Sequence, residues 1–391
     1  MRFEELNERI SYHYASAVAL RREIHAYPEV AYSEYRTTER IRHYLTYPGI
    51  IVEDLGIGTG LCALVVGKGQ GKNALLRADI DALPVTEETG LPYASEIPGQ
   101  MHACGHDFHT AALLAAAVML KEQEDRLPGK ALLVFQPAEE LSGGGKQIAS
   151  TGITDDAQVF VALHTHPPFS VGTLGIKEGP VMAAVDQFKV TVTGKGTHAG
   201  IPQDGIDPIP VLAELTLALQ TIVSRRLSPF ADALLSVTHL DAGTTWNVIP
   251  ESGYLEGTIR TFDEDVRTEM LRQFRCLCEG ICAAHDCHCE IWWLEGPPAL
   301  HNDPALCAIA RRVAENMGFR VDRQEDTMQG EDFAEFLRFP ARRPGLFVRV
   351  GTGGGYANHN PKFTADPAAL YPTSEFLREV TVTLMRELRQ A

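Results

Sequence analysis

The 391-residue sequence lacks three features that would point to particular classes of protein. It has no cluster of Lys and Arg, and its formal net charge is −16, so nucleic acids and anionic membranes are poor partners for it. It has no apolar run long enough to span a bilayer, and its N-terminal residues do not read as a signal peptide. Its eight cysteines show no disulfide pattern and no paired C-x-x-C spacing. We therefore expect a soluble cytoplasmic protein with no nucleic-acid or membrane partner.

Two textures divide the sequence. Up to about residue 184, short apolar strands alternate with helices, starting with a predicted helix from Phe3 to Ala26, and this alternation returns after residue 297. Such alternation is typical of a mostly parallel sheet with helices on its faces. Residues 185–297 contain longer alternating strands and two helices, which predicts an inserted α+β domain with a four-stranded sheet. The predicted fold class is α/β, with a discontinuous domain of residues 1–184 and 298–391 and an inserted domain of residues 185–297.

The stretch Met101–Thr110, MHACGHDFHT, gathers three histidines, a cysteine and an aspartate just before a long apolar helix. Cys104 and His106 can face one cation if Gly105 lets the backbone turn sharply between them. Asp107 then falls in the first helical turn, where it is predicted to cap the helix. A helix start with a packed cysteine is the alternative interpretation of this stretch taken alone.

Polar residues also follow two predicted strands of the first domain. The strand LLVF runs into Glu139 and Glu140. Because adjacent side chains point in different directions, one carboxylate can bind a metal while its neighbour holds a water. The strand VFVAL ends in His164 and His166, and either can be a ligand. Open α/β sheets place ligands at the carboxyl ends of their strands, although each cluster alone also fits a solvated loop.

A fourth polar cluster contains His359, which follows the strand LFVRVG and a glycine-rich turn. Four clusters of the residue types that divalent metals prefer, all in one domain, indicate a metal site. The inserted domain offers His198 after a glycine turn, Asn247 in WNVIP and Arg260 on a predicted strand. Because an unpaired buried arginine is costly, we expect Arg260 to meet a protein or a substrate carboxylate.

Eight motifs between Arg77 and His359 together resemble the amidohydrolase branch of the M20 metallopeptidases. They are RADIDALP, HACGHD, QPAEE, ALHTHP, GKGTHAGIP, NVIPE, EGTIRTF and QGEDF. That branch includes hippurate hydrolase, aminoacylase-like N-acyl amino acid hydrolases and the plant indole-acetyl amino acid hydrolases. The resemblance implies a zinc-peptidase-like catalytic domain and an inserted domain that serves as lid and dimerisation domain. It implies hydrolysis of a non-peptide amide bond, with an N-acyl amino acid giving a carboxylic acid and a free amino acid.

The resemblance also implies a site for two divalent metal ions, of which Zn, Mn, Ni and Co all suit mixed nitrogen, oxygen and sulfur donors. The implied ligands are Cys104, His106, Glu140, His164 and His359. Glu139 is implied as the general base, and Asp81 as an aspartate that orients a ligand. Asp79 stands where many members of the wider superfamily place a ligating histidine, and Cys104 is implied to replace that ligand.

For the substrate, the resemblance implies binding by His198, Asn247 and Arg260. His198 would also stabilise the oxyanion, and His198 and Asn247 would reach the partner subunit's site in a homodimer. Three departures from the usual motifs leave the implied ligands intact and bear on substrate preference: Phe108 and Thr197 each stand where relatives have glycine, and residues 357–363 read ANHNPKF.

Other functions fit the same residues less well. A dipeptidase or carboxypeptidase of the same superfamily is the first alternative, and the CGH signature favours N-acyl amino acids over peptides. A binding or sensor protein that has lost catalysis is a more distant alternative. Such a protein would be expected to have lost the general base or a ligand, whereas Glu139 and all five implied ligands are present.

A separate cluster in the inserted domain is rich in cysteine. It comprises Cys276, Cys278, Cys282, His285, Cys287, His288 and Cys289. Its close spacing is compatible with a structural zinc, but the absence of paired C-x-x-C spacing favours ordinary buried thiols. If residues 267–285 are helical, Cys278 and Cys282 share a face that Cys276 does not.

Overall fold

The computed structural model describes residues 12–323, 326–338 and 343–388. These residues form two compact units. The first falls within Met1–Val181, His301–Glu325 and Asp332–Ala391, and the second comprises Met182–Leu300 and Asp326–Glu331. The second unit thus takes in a short later segment that the sequence-based boundaries leave in the first domain, and the Ala183 N–H donates to the Gln329 carbonyl at 2.9 Å. None of the described helices combines the length and the apolar character needed to cross a membrane.

The helices and strands follow the predicted order. The helices are α1 (Tyr12–Ala26), α2 (Tyr35–Thr46), α3 (His106–Glu122), α4 (Gly144–Ser150), α5 (Pro208–Thr221), α6 (Glu264–Ala284), α7 (Pro304–Asn316), α8 (Ala334–Arg338) and α9 (Leu370–Glu387). The strands are β1 (Ile51–Asp54), β2 (Leu61–Val66), β3 (Ala74–Asp79), β4 (Lys130–Gln136), β5 (Val159–His166), β6 (Thr173–Gly175), β7 (Gly179–Met182), β8 (Ala184–Thr193), β9 (Thr197–His198), β10 (Ala233–Ala242), β11 (Val248–Ile249), β12 (Ser252–Thr261), β13 (His288–Glu295), β14 (Leu300–Asn302), β15 (Arg320–Asp322) and β16 (Gly345–Gly351). Residues 3–11 of the first predicted helix lie outside the described residues.

The first unit is built on an eight-stranded sheet in the order β1-β2-β4-β3-β5-β16-β6-β15. Its central strands run parallel, since β3 pairs in parallel with β4 and β5, and β5 with β16. Every residue of β3 is buried, and α3 is apolar around most of its circumference and almost wholly buried, as expected of a helix inside a core. The parallel pairing brings the carboxyl ends of β3, β4 and β5 to one edge of the sheet. This confirms the predicted α/β fold class.

The second unit is an antiparallel four-stranded sheet in the order β10-β12-β8-β13, with helices α5 and α6. Residues of β8 and β12 alternate between buried and less buried positions, and the buried side packs with the helices around Phe188, Leu215 and Phe274. Asp263 caps α6 by accepting hydrogen bonds from the N–H groups of Asp265 and Val266. The prediction of a four-stranded sheet with two helices is confirmed.

Candidate metal centre and substrate-binding residues

Asp79 and Asp81 lie at the carboxyl end of β3 and are buried. Arg77 Nη1 donates to Asp79 Oδ2 at 2.7 Å, and His109 Nδ1 lies 2.6 Å from Asp79 Oδ1. Burial opposes ionisation of Asp79, but the charges of His106, His109 and Arg77 hold its pKa well below the ordinary value. Asp79 is therefore a charged carboxylate with a close protein partner on each oxygen.

A left-handed glycine separates the first two candidate ligands. Gly105 has φ +87°, and a Cβ at this position would lie 2.8 Å from Thr165 Oγ1, so only glycine fits without strain. Helix α3 begins at the next residue, His106. The thiol of Cys104 is buried, and its Sγ lies 3.3 Å from His164 Nε2. The turn thus brings residues from the start of α3 to the end of β5.

The predicted capping role of Asp107 is wrong. The N-cap of α3 is Gly105, with no side-chain capping bond. The carboxylate of Asp107 is already engaged, since Oδ2 accepts from Arg21 Nε at 2.9 Å and lies 3.1 Å from His25 Nδ1. Asp107 therefore ties α3 to α1 instead of closing the end of its own helix.

Asp81 orients two of the candidate ligands. Nδ1 of His106 lies 2.9 Å from the Asp81 carbonyl and 3.2 Å from its Oδ1, which leaves Nε2 of the ring facing the other way. That Nε2 is buried and has no hydrogen-bond partner among the described residues. The N–H of Glu140 donates to Asp81 Oδ2 at 3.0 Å. These are the contacts expected of an aspartate that holds metal ligands in place.

Glu139 and Glu140 follow β4 in a tight turn. The turn begins at Ala138, which has φ +53°. Glu140 Oε1 lies 3.8 Å from His106 Nε2 and 3.4 Å from His359 Nε2. It is buried and, within the described part of the chain, accepts no hydrogen bond. A carboxylate oxygen and an imidazole nitrogen that face each other without partners are what a cation would satisfy.

Of the two histidines at the end of β5, the structure places His164 beside Cys104. His164 Nδ1 lies 2.8 Å from the Thr165 carbonyl, so it carries the ring proton and leaves Nε2 with a free lone pair. His166 instead accepts at Nδ1 from Arg349 Nη1 at 3.0 Å. Burial, then the Arg349 charge, lowers the pKa of His166 to about 4.

His359 reaches the same place from the loop after β16. It has φ +67°, and its N–H donates to the Ala103 carbonyl at 2.8 Å. The preceding Asn358 donates from Nδ2 to the Cys104 carbonyl at 3.1 Å. Two backbone carbonyls of the 103–104 segment therefore fix the loop that presents His359.

The donor atoms form overlapping groups that fit divalent metal ions. In each group, the candidate ligand atoms lie within 4.8 Å of one another: Cys104 with His106 and His164, Cys104 with Glu140 and His359, and His106 with Glu139 and Glu140. The groups share members, as expected of two neighbouring metal positions. Thiolate, imidazole and carboxylate are the donor types of such sites.

The substrate-binding residues predicted in the inserted domain all lie in the second unit. His198 is exposed on β9, opposite Val248 of β11, and the Ala199 N–H donates to the Asn247 carbonyl at 3.1 Å. This short ribbon holds His198 and Asn247 next to each other. Arg260 lies half-buried on β12, between Leu234 and Val185 of the neighbouring strands.

Arg260 has no protein carboxylate bonded to it among the described residues. Burial lowers its pKa, and Asp186 is the charge that counteracts this. Asp186, however, is taken by Arg267, which donates from Nε and Nη2 to both carboxylate oxygens at 2.7 Å. Of the two partners expected for Arg260, the substrate carboxylate is the one left open.

The cysteine-rich cluster forms no metal site in the part of the chain described. No group of three or more ligand atoms within 4.8 Å includes its cysteines. Cys278 and Cys282 are buried in the core of the second unit, whereas Cys276 is exposed, as the helical spacing predicts. The cysteines in this segment are free thiols, in line with the interpretation as ordinary packed side chains.

The sequence profile of peptidase family M20/M25/M40 matches residues 75–382, which include every candidate metal ligand and substrate-binding residue. The chain belongs to this family. Among curated M20-type relatives, N-acetyl-L-cysteine deacetylase of Bacillus subtilis is 45% identical over 94% of this chain and 88% of that protein. Thermostable carboxypeptidase 1 of Saccharolobus solfataricus is 35% identical over 90% of this chain and 91% of that protein.

Among solved structures, the YXEP protein of Bacillus subtilis, described as a dinuclear metal-binding peptidase of the M20 family, aligns with a TM-score of 0.85. It is 35% identical, and the alignment covers 96% of this chain and 99% of that one. The family membership confirms the resemblance drawn from the eight motifs.

Two residues of this M20-family site had no predicted role. His109 lies between Asp79 and β5, because its Nδ1 faces Asp79 and its Nε2 accepts from the Thr165 N–H at 2.8 Å. Arg77 is fully buried and also donates to Gln136 and Asp332. The signal for Arg77 was available, since a charged residue within an apolar buried strand requires partners.

Proposed function

We propose that this chain is a metal-dependent amidohydrolase that cleaves the amide bond of N-acyl amino acids into a carboxylic acid and a free amino acid. The observation that carries the proposal is the meeting of donor side chains from three strand ends and one loop, with His106 Nε2 and Glu140 Oε1 buried and without partners among the described residues. The 45% identical relative named as an N-acetyl-L-cysteine deacetylase supports this reaction class.

The metal ligands that we propose are Cys104, His106, Glu140, His164 and His359. Two divalent ions at such a site lower the pKa of a shared water from about 15.7 to roughly 7 and polarise a substrate carbonyl. Zn, Mn, Co and Ni all suit this donor set. Elemental analysis of protein purified from cells grown without metal supplements would identify the native ion and its stoichiometry.

We propose Glu139 as the general base. It neighbours the ligand Glu140, and its carboxylate lies within 4.8 Å of the donor atoms of His106 and Glu140. From there it can take the proton of the attacking water and deliver it to the leaving nitrogen. The buried contacts of Asp81 with His106 and Glu140 keep the base and the ligands in register.

For substrate recognition, we propose that Arg260 binds the α-carboxylate through paired hydrogen bonds, aided by Asn247. His198 stabilises the negative charge that develops on the amide oxygen. We further propose that the inserted domain is a lid and dimerisation domain, and that His198 and Asn247 serve the site of the partner subunit in a homodimer.

Mixing two inactive variants tests this shared site. Glu139→Ala and His198→Ala subunits are each expected to be inactive alone. If each site takes Glu139 from one subunit and His198 from the other, half of the randomly exchanged dimers regain one intact site, so about a quarter of wild-type activity returns. A mixture that exchanges subunits but stays inactive would contradict the shared site, and light scattering establishes whether dimers are present.

The decisive assay for the activity is release of free amino acid from a panel of N-acetyl, N-benzoyl and indole-acetyl amino acids. Chelated protein and protein reloaded with Mn or Zn would be compared, with Glu139→Gln as an isosteric control. Release that requires metal and disappears in the variant is expected. Metal-loaded wild-type protein that releases nothing from any member of the panel would rule out the proposed reaction.

A carboxypeptidase or dipeptidase is the second candidate, because a 35% identical relative is named as a thermostable carboxypeptidase. Dipeptides and N-blocked peptides belong in the same panel, and faster turnover of these would favour the second candidate. We also propose a cytoplasmic location, because all eight cysteines are free thiols, which suits a reducing compartment. Fractionation of cells that express the protein would test this.

A further inference from the structure

Glu34 is a fully buried carboxylate that the proposed mechanism does not use. It is the N-cap residue of α2, but its side chain makes no capping bond. The carboxylate instead accepts from the Ala138 N–H at Oε1, at 2.9 Å, and from the Thr59 hydroxyl at Oε2, at 2.8 Å. A buried acid is costly unless it is hydrogen-bonded, and here both bonds go to distant segments of the chain.

Ala138 is the residue that this contact fixes. Its φ of +53° lies in the left-handed region, which costs a non-glycine residue roughly 1–2 kcal/mol. The turn that follows is closed by further backbone bonds, since the Gly143 and Gly144 N–H groups donate to the Ala138 carbonyl at 3.3 Å. The turn also contains Ser142, which has φ +53°. Strained backbone of this kind persists only where surrounding contacts hold it.

The strained turn presents Glu139 and Glu140. A change in the backbone angles of Ala138 redirects the chain just before Glu139, and so displaces both carboxylates. The bond from Glu140 N–H to Asp81 holds the far side of the dipeptide, and on its near side the Ala138 N–H bonds to Glu34.

We propose that Glu34 is a positioning residue for the reaction, which holds Ala138 in its left-handed conformation and thereby aims Glu139 and Glu140. The proposal rests on the proposed function for its catalytic consequence, but its effect on the backbone is independent of that function. Displacing a catalytic group by about 1 Å can cost about 100-fold in rate.

Three substitutions test the bond. Glu34→Gln keeps an oxygen for the Ala138 N–H and can donate its amide to the Thr59 hydroxyl, so kcat should stay within about threefold of wild type. Glu34→Ala removes the acceptor, and Glu34→Asp keeps the charge but is one methylene too short to reach. Both should lower kcat by about 100-fold while KM changes by less than about threefold.

Glu29→Ala is the matched control. Glu29 binds the same helix start, accepting from the Arg36 and Thr37 N–H groups at 3.1 and 2.8 Å, and its side chain has no bond to the turn at Ala138. It should lower the melting temperature without lowering kcat. Equal kcat in Glu34→Asp, Glu34→Gln and Glu29→Ala would overturn the proposal, and this comparison holds even if Glu34→Ala does not fold.

Zinc binding gives a readout that does not depend on turnover. Competition with a chromophoric chelator should show zinc bound about tenfold more weakly by Glu34→Asp than by Glu34→Gln, because the ligand Glu140 is displaced in the former. If wild-type protein binds zinc but hydrolyses nothing in the panel, the proposed function fails while this titration still decides the role of Glu34. Indistinguishable zinc affinities in the two variants would refute it.

Discussion

His25 offers a pH-dependent test of how the first unit is held together. It lies on α1, with Nδ1 3.1 Å from Asp107 Oδ2 and Nε2 3.2 Å from Glu87 Oε1. Burial by itself disfavours the charged ring, but the two carboxylates outweigh burial and raise the pKa of His25 from 6.5 to about 9. The imidazolium therefore links the first helix to the start of α3 at neutral pH.

The sign and size of the effect follow from this pKa. Because the folded-state pKa lies above the unfolded-state value, the stabilisation is fully present below about pH 6.5 and is lost as the pH rises through about 9. At about 1.4 kcal/mol for each pH unit between the two values, the loss amounts to about 3 kcal/mol. His25→Gln, which can donate a hydrogen bond but carries no charge, lacks this dependence.

Urea unfolding of wild type and His25→Gln at several pH values between 6 and 10 measures the difference. Hydrogen exchange of peptides from α1 and α3 reports the first unit. Fluorescence serves as an internal reference, because the three tryptophans, Trp246, Trp292 and Trp293, all lie in the second unit. The stability gap between the two proteins should shrink by about 3 kcal/mol from pH 6.5 to 9.5. A gap that stays constant over this range would refute the charged pairing.

Three further predictions concern the site. Gly105→Ala should lower the free energy of unfolding by more than about 1 kcal/mol, because a Cβ there is strained and meets Thr165; urea titration measures it, and an unchanged midpoint would contradict it. Cys104→Ala should lower bound metal from two ions to about one per subunit, whereas undiminished metal in elemental analysis would exclude Cys104 as a ligand. Arg260→Ala should raise KM for N-acyl amino acids by about tenfold or more with little change in kcat; an N-acyl amine without a carboxylate should show no such rise, and equal rises for both substrates would argue against carboxylate binding.

Much of the fold was predictable because its signals are local. Each central strand of the first unit is an apolar run followed by a polar cluster, and the parallel arrangement that brings those clusters together follows from the alternation of strands and helices. The insertion was visible as a change from short apolar strands to alternating ones. The same local signals found every candidate donor from Cys104 to His359.

What the sequence did not predict depends on contacts between distant residues. Asp107 has a sequence position suited to capping, but its partners Arg21 and His25 lie 86 and 82 residues away. Likewise, nothing near Glu34 indicates Ala138 as its partner, 104 residues later. Side chains that can serve either a local or a distant partner are settled by tertiary packing, which propensity and spacing do not encode.

The choice between Asp79 and Glu140 as a metal ligand shows why distance alone is also insufficient. Asp79 Oδ2 and Glu140 Oε1 lie 3.7 and 3.8 Å from His106 Nε2, so both are equally close to a cation at that nitrogen. Asp79, however, already binds Arg77 and His109, whereas Glu140 Oε1 has no partner in the described chain.

The same reasoning removes His109 and explains the thiol. Both ring nitrogens of His109 are engaged, one by Asp79 and the other by the Thr165 N–H. The guanidinium of Arg77 neutralises the charge of Asp79 before any cation arrives. Because Asp79 gives its negative charge to Arg77, the anionic donor that balances the cation on this side must come from elsewhere. Cys104, whose sulfur lies 3.3 Å from His164 Nε2, is placed to supply it as a thiolate.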